Sequence, residues 1–182
     1  MKKSGFALIE FIVVLGVISI LLPAIFTLYF ASIQNQQKAQ TLIQVKQNGD
    51  NALSIIESLV RNNATAIYDS ADNITKRCEG SDTAYEFSDG ISFTDKLGNI
   101  FTFQLDKTDT DTQKIASISS NTSIPLTNDR VTVSALDFSC TRKTQFSSPI
   151  VSIAFTISQK VGLTRHEAEN TLDWATNIKL RN

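Results

Sequence analysis

A single carboxylate stands inside a long apolar stretch, and its type and position point to ion pairing. Of the 26 residues 6–31, 21 are apolar and only Glu10 is charged. A carboxylate in a membrane helix costs about 2.5–3.5 kcal/mol on insertion scales and usually has a partner. After Lys3 the next basic residue is Lys38, which would lie about 42 Å from Glu10 along a helix. We expect Glu10 either to pair with another chain or a terminal amine, or to lie protonated or snorkelling at the membrane edge.

The two cysteines, Cys78 and Cys140, are candidates for a disulfide. Outside the cytoplasm such a bond is permitted. It would close a loop of about 60 residues, which is worth roughly 4 kcal/mol in the chain-entropy model. The alternative is two separate buried thiols. The pair is too small and too widely spaced for a zinc site.

Other polar residues give weaker indications. His166 lies in a charged segment, where a solvated side chain is the ordinary case. The spacing of Asp106, Asp109 and Asp111 suits calcium, but the loop lacks the Gly and the distal Glu of a calcium-binding loop, so an ordinary acidic hairpin tip is the favoured interpretation. Trp174 belongs either to the core or to a contact with another subunit. No nucleophile elbow, zinc-protease motif or phosphate loop occurs, so we expect neither an enzyme nor a cofactor.

The apolar stretch is long enough to cross a membrane, which needs about 20 residues as a helix. It is too long for the apolar core of a cleaved secretory signal. Lys2 and Lys3 precede it, so the N-terminus is expected in the cytoplasm and the C-terminal part outside. The net charge of −1 argues against a dedicated nucleic-acid binder, and no direct nucleic-acid binding is predicted.

The segment 2–10, KKSGFALIE, together with the apolar run resembles the N-terminal signal of type IV pilins and pseudopilins. The resemblance implies that a prepilin peptidase cuts between Gly5 and Phe6 and methylates the new amine of Phe6. It also implies that Glu10 pairs with that amine in a neighbouring subunit during assembly. The implied partners are the peptidase, other pilin or pseudopilin subunits, a membrane assembly platform and, before assembly, lipid. Ala7 departs from the family, where Thr is commoner.

Four regions follow from the pattern: a cleaved leader at 1–5, an apolar half-helix at 6–31, an amphipathic half-helix at 32–62 and an extracytoplasmic domain at 63–182. Apolar residues spaced by three and four predict that the second half-helix packs on the domain. Pro23 should kink the first half, and Gly49 weakens the second by about 1 kcal/mol. Both places either let the helix bend in a filament or are ordinary tolerated breaks.

The region after the helix is predicted to be β-rich. The polar stretch Ala64–Glu79 is interpreted as a loop. Alternating runs then predict strands at 84–88, 91–94, 99–106, 114–119, 130–140, 150–161 and 175–180. Lys96–Asn99 is a hairpin-turn candidate. One antiparallel sheet packed on the long helix gives an α+β fold.

The resemblance implies a structural subunit, most simply a minor one, of a type IV pilus or a type II secretion pseudopilus. It would reside in the bacterial inner membrane and later in the filament. The alternative is a filament-tip module for binding, adhesion or DNA uptake. A membrane-anchored enzyme is a third class that no motif supports. The sequence does not distinguish a pilus subunit from a secretion-system subunit, or a major subunit from a minor one.

Overall fold

The computed structural model describes residues 4–108, 112–120, 122–160 and 171–181. The chain divides into two compact units, Met1–Thr41 and Leu42–Asn182. The fold is α+β, with one long N-terminal helix followed by an antiparallel β domain, as predicted.

The helix α1 spans Ser4–Asn63 and is continuous through Pro23. The predicted kink at Pro23 stays a prediction. In the second unit, Val45, Ala52, Ile56 and Val60 are fully buried, at spacings of seven, four and four residues. These spacings place them on one helix face. This stripe is the helical part of the core, and it confirms the predicted amphipathic packing.

In the part of the chain that the structure describes, ten strands follow the helix and form two sheets. The bounds are β1 Ala66–Asp69, β2 Lys76–Arg77, β3 Thr83–Phe87, β4 Gly90–Thr94, β5 Ile100–Asp106, β6 Lys114–Ser119, β7 Thr122–Pro125, β8 Val131–Arg142, β9 Ile150–Gln159 and β10 Thr171–Lys179. The first sheet has the order β2-β1-β4-β5-β6-β7 and the second the order β10-β9-β8-β3. All pairings are antiparallel.

Side chains from both sheets complete the core. The first sheet contributes the fully buried Ile91, Phe93 and Phe103. The rings of Phe93 and Phe103 meet edge to face, with centroids 6.3 Å apart. In β9, Val151, Ile153, Phe155 and Ile157 are buried at every second position. Burying each such side chain is worth about 1.5–3 kcal/mol, so alternation fixes which face of each strand turns inward.

The predicted hairpin turn at Lys96–Asn99 is present between β4 and β5. Gly98 has φ 86°, which a residue with a Cβ rarely adopts. The Asp95 carboxylate accepts hydrogen bonds from the backbone N–H groups of Leu97 and Asn99, both at 2.8 Å. The turn therefore satisfies its own backbone donors.

The last strand, β10, packs the second sheet against the helix through the side chain of Trp174. The indole ring of Trp174 lies against Gly49, where an added Cβ would come within 2.6 Å of Trp174 Cη2. The same ring stacks on Phe155 with centroids 5.5 Å apart, and its Nε1 donates to Asp50 Oδ1 at 2.9 Å. Gly49 is thus a contact point for Trp174, which neither sequence interpretation of this glycine anticipated. Trp174 packs against the core, which is one of the two positions predicted for it.

Several sequence predictions are wrong. Ala64–Glu79 contains the strands β1 and β2, because Ala66–Asp69 pairs with β4 despite the polar residues around it. The strand β7 was missed. The domain has two sheets rather than one, because short alternating runs do not say which strands pair. The last strand begins at Thr171 rather than at position 175, and Val161, the predicted end of β9, lies outside the described residues.

Candidate functional site

The first candidate site is the N-terminal part of α1. Its helix is long and apolar enough to cross a membrane, with a mean hydropathy of 2.8 in its best window. The side chains of residues 8–32 are all exposed. Gly5 and Phe6 lie in the first turns of the helix. The structure therefore presents an apolar surface that nothing in the first unit covers among the described residues.

Glu10 differs from the other hydrogen-bonding side chains of this segment. The hydroxyl groups of Ser19 and Thr27 donate to the carbonyl oxygens of Gly16 and Ala24, each at 2.8 Å. Such bonds back to the preceding turn satisfy a hydroxyl within its own helix. Glu10 is exposed, and within the described part of the chain it takes part in no ion pair.

Cys78 and Cys140 form a disulfide whose Cα atoms are 6.3 Å apart. Both residues are buried. Cys78 directly follows β2 of the first sheet, and Cys140 lies in β8 of the second. The bond therefore joins the two sheets covalently.

A polar cluster lies beside this bond. The Tyr85 hydroxyl donates to Asp69 Oδ2 at 2.7 Å, which raises the pKa of Tyr85 above its ordinary value. The Arg77 guanidinium stands 4.4 Å above the Tyr85 ring and contacts Asp72 at 3.5 Å. A hydrogen bond from the Ile74 backbone N–H is the main reason why the pKa of Asp72 is lowered. Arg77 therefore contacts both Tyr85 and Asp72 near the β1–β2 turn, while its Nε is buried without a hydrogen-bond partner among the described residues.

Two concave surfaces accompany these features. A cleft of about 460 Å³ is lined by Arg61, Asn62, Asn177, Lys179 and Arg181. A second depression of about 300 Å³ lies on the second sheet, with Glu86 and Asp137 among its lining. Among the described residues, no three His, Cys, Asp or Glu side chains are grouped as metal ligands would be.

Some sequence candidates are placed only in part. His166, Asp109 and Asp111 lie outside the described residues. Asp106 accepts a hydrogen bond from the Thr108 backbone N–H at 3.0 Å. Its pKa is lowered, first by the Thr108 side-chain hydroxyl. The calcium and hairpin-tip readings of these aspartates both stay untested.

Comparison of the chain with protein-family models, with curated proteins and with solved structures gives no match.

Proposed function

We propose that this chain is a structural subunit of a type IV pilus-like filament or a type II secretion pseudopilus, most simply a minor one. The observation that carries the proposal is Glu10, a carboxylate in an exposed apolar helix that takes part in no ion pair among the described residues and lies four residues after Phe6. An isolated carboxylate in this setting is unfavourable, so its presence calls for a partner. The family resemblance names one, the amine that cleavage creates at Phe6.

Assembly would then rest on two interactions. The apolar helices pass from lipid into a filament core and keep their burial. Glu10 of one subunit pairs with the Phe6 amine of its neighbour, and this pairing sets the axial register because both charges lie at fixed positions on their helices. Before assembly the chain is a single-pass protein of the bacterial inner membrane. The basic Lys2 and Lys3 hold its N-terminus in the cytoplasm, where the prepilin peptidase and the assembly platform act.

Substitution of Glu10 and Gly5 separates assembly from processing. We expect Glu10→Gln to be cut and methylated normally but to be poorly incorporated into filaments, because the amide carries no charge for the Phe6 amine. Gly5→Ala should leave the leader attached, which intact-mass measurement of the purified chain detects. The matched controls are Glu79→Gln, an exposed carboxylate of the β domain, and Gly16→Ala, where an added Cβ meets nothing within 4 Å.

Normal incorporation of Glu10→Gln into sheared filaments would contradict the register role of Glu10. A leader still attached to the wild-type chain in cells containing a prepilin peptidase would contradict the whole proposal.

A further inference from the structure

An aromatic side chain is displayed at the tip of the turn between β8 and β9. Phe146 is 93% exposed, the highest value among the large apolar side chains in the described part of the chain. A Phe ring buries about 150–250 Å² when it is covered. The domain has buried its other described Phe side chains wholly or partly, so Phe146 is an exception that internal packing does not explain.

The turn that carries Phe146 is held in place by Arg142. The Arg142 guanidinium donates to three backbone carbonyls, those of Ser147 at 2.8 Å, Glu79 at 2.9 Å and Gln145 at 2.5 Å. The Ser147 backbone N–H also bonds the Thr144 carbonyl at 3.0 Å. A fixed turn loses little conformational entropy when it binds. Phe146 is therefore presented in the manner of an interface anchor.

The same chain carries a depression of a suitable kind, which we call the acidic trough. It lies on the outer face of the second sheet and has a volume of about 300 Å³. Its lining includes two alanines opposite each other on neighbouring strands, Ala154 and Ala175, and Asp137 lies opposite Ala154 on the third strand. The complete lining is Glu86, Phe87, Asp137, Phe138, Ser139, Ser152, Ile153, Ala154, Ala175, Thr176 and Asn177.

The charges of the two surfaces are opposite. Glu86 and Asp137 stand at the trough and are both exposed. Neither takes part in an ion pair in the described part of the chain, and Lys143, three residues before Phe146, takes part in none there either. A ring that enters the trough would bring Lys143 toward the two carboxylates.

We propose that Phe146 of one copy inserts into the acidic trough of a second copy. The contact joins two different surfaces of the same chain, the Phe146 turn and the acidic trough. A copy whose trough is occupied therefore still has its own Phe146 turn available for a further copy. Such heterologous contacts build an open filament when the rotation that relates neighbouring copies does not close a ring. This inference deepens the proposed function by naming the surface through which β domains of neighbouring subunits touch.

The test uses the full chain in detergent micelles, where detergent covers the apolar helix. Sedimentation velocity should show association of the wild-type chain that grows with concentration beyond a dimer. We expect Phe146→Ala to weaken this association about 30-fold, as for an interface hot spot. Leu97→Ala is the matched control, since Leu97 is 87% exposed at the tip of the β4–β5 turn and should behave as wild type.

Mixing two variants gives the sharper result. Phe146→Ala keeps the trough, and Ala154→Trp fills the trough but keeps Phe146. At a concentration where the wild type associates, each variant alone should associate far more weakly, whereas an equimolar mixture should form heterodimers and little that is larger, because only one full contact can be made. The pair Lys143→Glu and Glu86→Lys provides a second arm: each should weaken association, and both together in one chain should restore it.

A wild-type chain that stays monomeric up to about 1 mM, or one that stops at a dimer, overturns the inference. So does equal association of Phe146→Ala and wild type. These outcomes are independent of the filament incorporation of Glu10→Gln, so failure of the β-domain contact is distinguishable from failure of the proposed function.

Discussion

The substitution Gly49→Ala tests how the helix is fastened to the second sheet, because two explanations of Gly49 predict opposite signs. If Gly49 is only a weak point of the helix, alanine should stabilise the chain by about 1 kcal/mol. In the structure, the added methyl group would overlap the indole ring of Trp174. The ring lies between Gly49 and Phe155 and cannot keep both contacts, so the substitution should destabilise.

The expected magnitude follows from these contacts. Displacing a well-packed side chain costs about 1–3 kcal/mol, and losing the stack on Phe155 adds about 0.5–1.5 kcal/mol. The better helix propensity of alanine offsets about 1 kcal/mol of this loss. The net loss in the free energy of unfolding is therefore about 0.5–3.5 kcal/mol.

Urea denaturation of the full chain in detergent measures this change. Trp174 is the chain's only tryptophan, so its fluorescence reports directly on the contact. In a Trp174→Ala background, followed by circular dichroism, Gly49→Ala should instead be neutral or stabilising because the overlap is gone. Stabilisation of the wild-type background by Gly49→Ala would refute the reasoning.

Two further predictions concern the β domain. Replacing both Cys78 and Cys140 with serine should lower the free energy of unfolding by about 4 kcal/mol, since the bond closes a loop of 62 residues; an unchanged urea midpoint would argue against it. The Asn99 side chain is the main cause of the lowered pKa of Asp95, so Asn99→Ala should raise that pKa toward its ordinary value in an NMR titration. A carboxylate with a lowered pKa stabilises the fold above its unfolded pKa and loses this effect as the pH falls, so the variant should lose less stability below about pH 4; an unmoved Asp95 titration would contradict this.

Much of the fold could be predicted from the sequence because periodicity reports burial. The helix was expected to end near Asn62 and ends at Asn63. The clean alternation from Val151 to Ile157 predicted β9, and the turn chemistry of Lys96–Asn99 predicted its hairpin. Such signals are local, since each strand or turn carries its own pattern of apolar and turn-forming residues.

The remainder depends on contacts between distant residues. The short strand Ala66–Asp69 is stabilised by pairing with β4, which its own composition does not reveal. Gly49 and Trp174 are 125 positions apart, and nothing near either one signals that they meet. The sequence around Phe146 and Arg142 has no distinctive pattern either. The exposure of Phe146 and the hydrogen bonds of Arg142 can be recognised only when the conformation of the turn is known. Glu10 stood out because a lone charge in an apolar run is itself a local anomaly.

The docking of β10 on α1 has a consequence for the order in which the domain is completed during synthesis. Asp50 bonds Trp174 and Glu57 bonds Thr176 across 124 and 119 positions. The core face of the helix leaves the ribosome early, yet β10 can reach it only after residues up to Lys179 have been translated. Until then the stripe Val45–Val60 is without its final strand, and a chain shortened before position 171 would never acquire it. Completion of the domain's core is thus coupled to synthesis of β10, the last described strand.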